Sequence, residues 1–457
     1  MVLILSIFAL KVLQNFPNSA DEYANLFQAK IFAAGHLAAD PPPMPELFNF
    51  FYLIQRDGRY FGLFPFGYPL LLSLGVLIRA PWIINPLLGA LTILLIYHIS
   101  LHIFNRRVAL VASILGFFTP FFILNSASYY SHATCTFFLA LMVYAYLKSQ
   151  GTNRLFWYLM IGVSSGFAFI AHYVEPVVSA IPIGIVLAVK FLRHPPKMLK
   201  PCLAVLLGGS IFLAAFLAYN SILIGDPFTA PHKYYDPRLG IIFSMDSLKE
   251  GLDYFTSFFP QLFSWTFYFP LALFPLFFFF SRSKPPFLLL VLMAISILNI
   301  VIYLFAPGGA GYQYGPRFYY GFYFALPILA SYAIKRLVVR KEYIYLVAGV
   351  ILILNIQSVI KKSAYYHHLL YLRQDVYRTV QGAGLDRAIV FLRTPSFDML
   401  VRDLTRNGVK LDGPVLYVHE TSSSKKKQLL KYFPGYRAYV YEFDVITQKG
   451  FITPISF

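Results

Sequence analysis

Long apolar runs alternate with short polar breaks along most of the chain. A helix needs roughly 20 apolar residues to cross the hydrocarbon core of a bilayer. Runs of this kind fall at 1–16, 82–104, 108–124, 132–148, 156–171, 177–192, 202–224, 258–280, 287–305, 318–334 and 343–360, with a partial run at 68–78. The pattern predicts about eleven membrane spans. The breaks carry a regular charge asymmetry. Arg106 and Arg107, then Arg154, then Arg193, Lys197 and Lys200, then Arg282 and Lys284, and finally Lys335, Arg336, Arg340 and Lys341 occupy alternate connections. With the first helix running outward, the positive-inside rule makes these connections cytoplasmic. Residues 17–65, 225–257, 306–317 and everything from 361 are then expected outside. The first run lacks a basic n-region, and Asn18-Ser19-Ala20 is a poor cleavage site, so it reads as a span rather than a signal peptide.

Beyond residue 360 the pattern changes. Period-2 apolar runs appear at 388–392, 415–418 and 436–443, with a helical stretch at 424–432 and a Gly413-Pro414 turn before the second run. The expected fold is therefore an all-α polytopic membrane domain over 1–360, followed by a small α/β extracytoplasmic domain over 361–457.

Composition strengthens the membrane reading. Of 457 residues, 58% are hydrophobic and 13% charged, against roughly 45–50% and about 25% in soluble domains. A bilayer absorbs that excess, and a soluble core does not. Aromatics make up 18% of the chain, and Tyr and Trp favour membrane interfaces. The formal charge of +18 is accounted for by cytoplasmic loops and the tail. No nucleic-acid-binding motif accompanies it, so no nucleic acid partner is expected. Cys135 and Cys202 lie in apolar segments, which argues against a disulfide framework or a thiol metal site.

The outer loops hold the candidate chemistry. Asp21 and Glu22 follow directly on the first run. Ser19 and Glu22 form a capping box and Gly35 can end the helix, so the acids sit in its first turn, where they either complement the helix dipole or act on a substrate. Tyr23, Phe27 and Ile31 would line one buried face of this helix at the membrane surface. Arg56-Asp57-Gly58-Arg59-Tyr60 and then Phe64-Pro65-Phe66-Gly67-Tyr68-Pro69 fix the return of the loop to the membrane. A plain connecting turn with interfacial aromatics is the bland reading of both.

Further motifs follow in order. These are Asn85-Pro86, Asn105-Arg106-Arg107, Ser131-His132, Gly225-Asp226-Pro227 and Tyr314-Gly315-Pro316-Arg317-Phe318-Tyr319. Taken together over roughly residues 1–335, the order resembles the GT-C class of membrane glycosyltransferases. It is most similar to the branch of the protein O-mannosyltransferases and the lipid A aminoarabinose transferase. The resemblance implies an inverting transfer from a polyprenyl-phosphate sugar to a hydroxyl of a lipid, glycan or protein acceptor on the outer face. It also implies that Asp21 is the general base, with Glu22 positioning acceptor or partner beside it. Arg317 is the leading candidate for the donor phosphate, because a guanidinium forks onto phosphate oxygens. Arg59 and Lys233 stand behind it, together with Arg56. For these cations contact with lipid headgroups is the alternative.

Tyr60, Tyr68, His132, His172, Glu175, Tyr312 and Tyr314 are candidates for a substrate pocket. His172 and Glu175 are three apart and fall on one helical face. With His132 they offer ligands of the right type for a divalent ion, although a hydrogen-bonding wall is the simpler reading. Members of the GT-C class differ in metal use, so no cofactor is assigned and a divalent metal ion is left open. Asp226 and His232 reach an acceptor or serve a turn. The chief rival from another class is a transporter or flippase of lipid-linked sugars, but repeated halves and helices broken at the midplane are not apparent. A non-catalytic scaffold is a second rival.

Overall fold

The computed structural model describes residues 1–152, 154–274, 285–306, 311, 313–337, 341–393 and 406–457. The chain divides into two compact units. One holds 1–9, 65–68 and 82–363. The other holds 10–64, 69–81 and 364–457. Residues 10–64 thus belong with the C-terminal segment.

The first unit is helical. Four helices among the described residues are long and apolar enough to cross a membrane: Pro81–Ile103, Val174–Arg193, Pro195–Ile224 and Tyr343–Arg373. The last runs on in sequence from this unit into the second. Shorter apolar helices such as Leu155–Ala171 and Phe287–Tyr303 pack among them. The run expected as one span at 108–124 is two helices, Arg106–Phe117 and Pro120–Ala127, bent by 64°. Pro120 cannot continue a helix, and Thr119 starts the next one by accepting the Phe122 N–H at 3.1 Å. Polarity alone hides such a break, because both halves are apolar. The expected run at 258–280 begins as short helices, Gln261–Trp265 and Phe269–Leu273, and its end lies outside the described residues. Helix Leu155–Ala171 lies close along Pro195–Ile224. A Cβ on Gly208 would meet the Leu159 carbonyl at 2.5 Å, so backbone rests on backbone there. Gly225, at φ +81°, ends the second of these helices.

In the second unit, helix Ala20–Ala33 begins with the expected capping box. Ser19 Oγ accepts the Glu22 N–H at 3.3 Å, and the Glu22 carboxylate accepts the Asn18 N–H at 2.7 Å. Gly35, at φ +82°, follows its end. Tyr23, Phe27 and Ile31 are buried as expected, but so are Ala24, Asn25 and Gln28, so the helix is enclosed on more than one face. Strands β1 (Leu53–Arg56) and β2 (Arg59–Gly62) form a hairpin around Asp57-Gly58, both with positive φ, as a type I′ turn requires. The Asp-Gly turn was legible, and the hairpin it closes was not.

Strands β3 (Ala388–Arg393), β4 (Val415–His419), β5 (Arg437–Asp444) and β6 (Lys449–Pro454) form one sheet in the order β4-β3-β5-β6. β3 is parallel to β4 and β5, and β6 is antiparallel to β5. Helix Ser423–Tyr432 lies between β4 and β5 in sequence, within one residue of its expected place. The sheet buries Ile389, Phe391, Leu416, Val418 and Val440 against Leu429 of that helix and against Leu47 and Phe48 of the first loop. Two side chains from far upstream therefore complete a core that the tail only partly supplies.

Candidate functional site

Several candidates of the helical unit converge on one cluster, assembled from the ends of several elements. Asn85 is its first anchor. Its single buried amide donates to the Tyr68 hydroxyl at 3.1 Å and to the carbonyls of Ser128 and Tyr130 at 2.6 and 2.8 Å. The turn that precedes helix His132–Thr152 is thereby fixed, and Tyr68 is fully buried within it. Asn125 is the second anchor. It donates to the Tyr314 carbonyl at 2.9 Å, holding a turn in which Tyr314 and Gly315 have φ of +58° and +89°. Thr136 Oγ1 then donates to the Tyr320 carbonyl at 2.7 Å, joining the helix to the Arg317–Tyr320 turn.

These anchors bring Arg317 and the histidines together. The Arg317 guanidinium packs over the Tyr130 ring, 4.4 Å from its centroid, and 5.5 Å from that of Phe318. A Cβ on Gly311 would come within 2.7 Å of Arg317 Cγ, so glycine gives the arginine its place. The His132 ring lies 5.7 Å from Tyr130, 5.9 Å from Phe318 and 4.9 Å from His172. His172 Nδ1 makes a close ion pair with Glu175. One atom each of His132, His172 and Glu175 lie within 4.8 Å of one another. Glu175 is fully buried in the first turn of helix Val174–Arg193, and a Cβ on Gly321 would reach within 2.8 Å of its Cγ.

A third histidine extends the group. The His232 ring stands 5.0 Å from Tyr173. Burial, reinforced by the charges of Lys233 and His172, brings its pKa down to about 4, so it is neutral at physiological pH. Lys233 beside it donates to the Pro237 carbonyl at 3.0 Å. Asp226 serves its turn, accepting the Phe228 N–H at 3.2 Å and the Thr229 hydroxyl.

The remaining candidates lie in the second unit. Glu22 is buried and occupied with the capping box, whereas Asp21 in the same turn is half-buried. The Tyr60 hydroxyl donates to the Phe48 carbonyl at 3.0 Å, and burial pushes its pKa well up, so it stays a neutral donor. Arg59 is exposed at the hairpin turn, and Arg56 pairs with Asp57. Tyr312 lies outside the described residues.

Sequence reasoning found His132, His172, Glu175 and Arg317 but missed Tyr130, Asn125 and Gly321. Tyr130 was only two residues from a flagged histidine. No periodicity pairs a loop tyrosine with an arginine 187 positions away (317 − 130).

Residues 65–219 match the family model of the dolichyl-phosphate-mannose-protein mannosyltransferases. No curated protein matches in sequence. Among solved structures, ArnT from Cupriavidus metallidurans bound to undecaprenyl phosphate superposes with a TM-score of 0.60 at 12% identity, covering 99% of this chain and 96% of that one. Its apo state gives 0.60 at 11% identity, covering 99% and 97%. The Archaeoglobus fulgidus oligosaccharyltransferase in complex with Zn and sulfate gives 0.50 at 12% identity, covering 97% of this chain and 67% of that one. At such identities the likeness is one of fold. The apolar helices and these relatives make the chain an integral membrane protein. Its fold is similar to that of ArnT and of the oligosaccharyltransferase, and its residues 65–219 are similar to the dolichyl-phosphate-mannose-protein mannosyltransferases.

Proposed function

We propose that this chain is an inverting glycosyltransferase of the membrane, moving a sugar from a polyprenyl-phosphate donor to a hydroxyl of a lipid, glycan or protein acceptor on the outer face. The observation that carries the reading is Arg317, fixed between Tyr130, Phe318 and Gly311 beside the histidine cluster. A lipid phosphate leaves as an anion, and a prepositioned guanidinium is what that developing charge needs. The family description names a dolichyl-phosphate sugar, and ArnT binds undecaprenyl phosphate. Both support a donor of this class here.

In the reaction the acceptor oxygen attacks the anomeric carbon as the bond from that carbon to the phosphate oxygen breaks. The acceptor proton passes to a carboxylate and the lipid phosphate departs toward Arg317. We assign the carboxylate to Asp21, on the family resemblance and because Glu22 is committed to the capping box. Lys233 and Arg59 are assigned to the acidic parts of donor or membrane, and Tyr68 and Tyr314 to the framework of the site. Removing a positioned general base costs about 10²–10⁴-fold in rate. The test is transfer from a set of polyprenyl-phosphate sugars by purified protein, wild type beside Asp21→Asn. Product from the wild type alone supports donor class and base together. Absence of product with every such donor, from folded protein, overturns the reading.

A further inference from the structure

Glu175 presents an unusual accounting problem. Its carboxylate is fully buried, and neither oxygen accepts a well-formed hydrogen bond among the described residues. An isolated buried carboxylate is costly, so it is normally paired, hydrogen-bonded or bound to a metal. Its close neighbours are the imidazole of His172 and the hydroxyl of Tyr303. His132, which is 3% exposed, also has its Nδ1 without a hydrogen-bond partner among the described residues. A simple His172–Glu175 ion pair would leave His132 Nδ1 unexplained.

We infer that His132, His172 and Glu175 form a binding site for one divalent transition-metal ion of the zinc type. The convergence of their ligand atoms within 4.8 Å supplies the geometry. Two imidazoles and a carboxylate are a borderline donor set that suits zinc, whereas magnesium and calcium prefer oxygen throughout. Three protein ligands leave a tetrahedral ion one position open, the pattern of reactive rather than purely structural zinc sites. The three ligands are set by separate devices. His132 starts a helix whose Thr136 is tied to Tyr320, and Glu175 starts another over Gly321. His172 occupies the turn between helices Leu155–Ala171 and Val174–Arg193. Arg317 stands beside the same cluster, through the Tyr130 and Phe318 rings that both it and His132 contact. An anion that meets Arg317 is thus the natural occupant of the open position. This last step rests on the transfer reading above, whereas the metal site itself does not.

The experiment is a zinc titration of full-length protein in detergent, after chelator treatment and buffer exchange, with bound metal read by mass spectrometry. Wild type is expected to take up one zinc per chain. His172→Ala and Glu175→Gln are expected to weaken zinc binding by more than about a hundredfold, since even changes in the outer shell of a site cost about 10–100-fold. Asp21→Asn is expected to retain full stoichiometry. Cobalt substitution of wild type provides a second readout, the visible absorption of a tetrahedral site, which zinc should displace. This readout does not depend on any variant folding. Wild type that takes up no zinc, or variants that bind it as tightly as wild type, would overturn the site. Zinc binding without glycosyl transfer would keep the site and remove the transfer reading. Transfer by protein that takes up no zinc would do the reverse.

Discussion

Two glutamates in two regions of the molecule hold nearly the same local position and meet different fates. Glu22 and Glu175 each stand in the first turn of a helix, and each is fully buried. The helix macrodipole favours both. Glu22 folds back on its own chain, onto Asn18 and Ser19 just upstream, and closes a capping box. Glu175 also has a partner just upstream, His172, but that imidazole meets His132 of another helix. The Glu175 helix starts at Tyr173, which offers no capping side chain, and the Glu175 carboxylate turns to His172 and the neighbouring His132. A buried acid whose partners are local is part of a helix. A buried acid whose local partner also meets a side chain of another element is available for chemistry.

The sharpest test of this contrast sets Asp21 beside Glu22. Asp21→Asn should lower transfer by about 10²–10⁴-fold while leaving the thermal melt unchanged. Glu22→Gln should leave transfer close to that of wild type. If Glu22→Gln abolished transfer in stably folded protein, the division of labour in that turn would be reversed. Next in size is Gly321→Ala. The added methyl would press on Glu175 Cγ, and such overpacking costs about 1–3 kcal/mol. Thermal melts should record it, with zinc uptake weakened in parallel. An unchanged melt and unchanged uptake would mean that Glu175 moves freely and is not held in place.

Glu22→Ala should cost about 1 kcal/mol, because it opens the capping box and leaves the Asn18 N–H unpaired. A melt in detergent compared with Ser19→Ala should show similar losses that do not add, as expected for two halves of one motif. The smallest effect is that of pH. The folded-state pKa of His232 is depressed to about 4 from an ordinary value near 6.5. Between these values the unfolded chain binds the additional proton, so stability is full above about pH 6.5 and declines as pH falls toward 4. His232→Asn should flatten that part of the stability profile. A slope unchanged by the substitution would place the titrating group elsewhere.

The reach of sequence reading differs between the two units for a physical reason. In the tail, period-2 runs placed three strands and a helix to within a residue or two, because a small sheet imposes its pattern on adjacent residues. The edge strand β6 escaped because most of its residues are exposed or half-exposed, leaving little alternation to detect. In the membrane part the run expected at 82–104 is one long helix, whereas the run at 108–124 holds the break at Pro120. Residues 361–373, grouped with the tail by polarity, continue the helix from Lys341 to Arg373. Polarity records which medium a residue faces, and a helix can leave one medium for the other without ending.

The candidate site divides along the same line. Residue type and order along the chain determined the membrane class, the polar ends of the spans, the capping box at Ser19 and Glu22, and the candidacy of His132, His172, Glu175 and Arg317. Tertiary structure alone decided that the His172–Glu175 pair meets His132 of another helix, and that Tyr130 underlies Arg317. It also decided that Gly311 and Gly321 clear the space for two charged side chains, and that Leu47 and Phe48 finish the core of a domain encoded far downstream. Periodicity and capping are short-range properties, set by neighbours within a turn or two. Contacts between remote segments depend on how close-packed elements meet, and no local pattern specifies that.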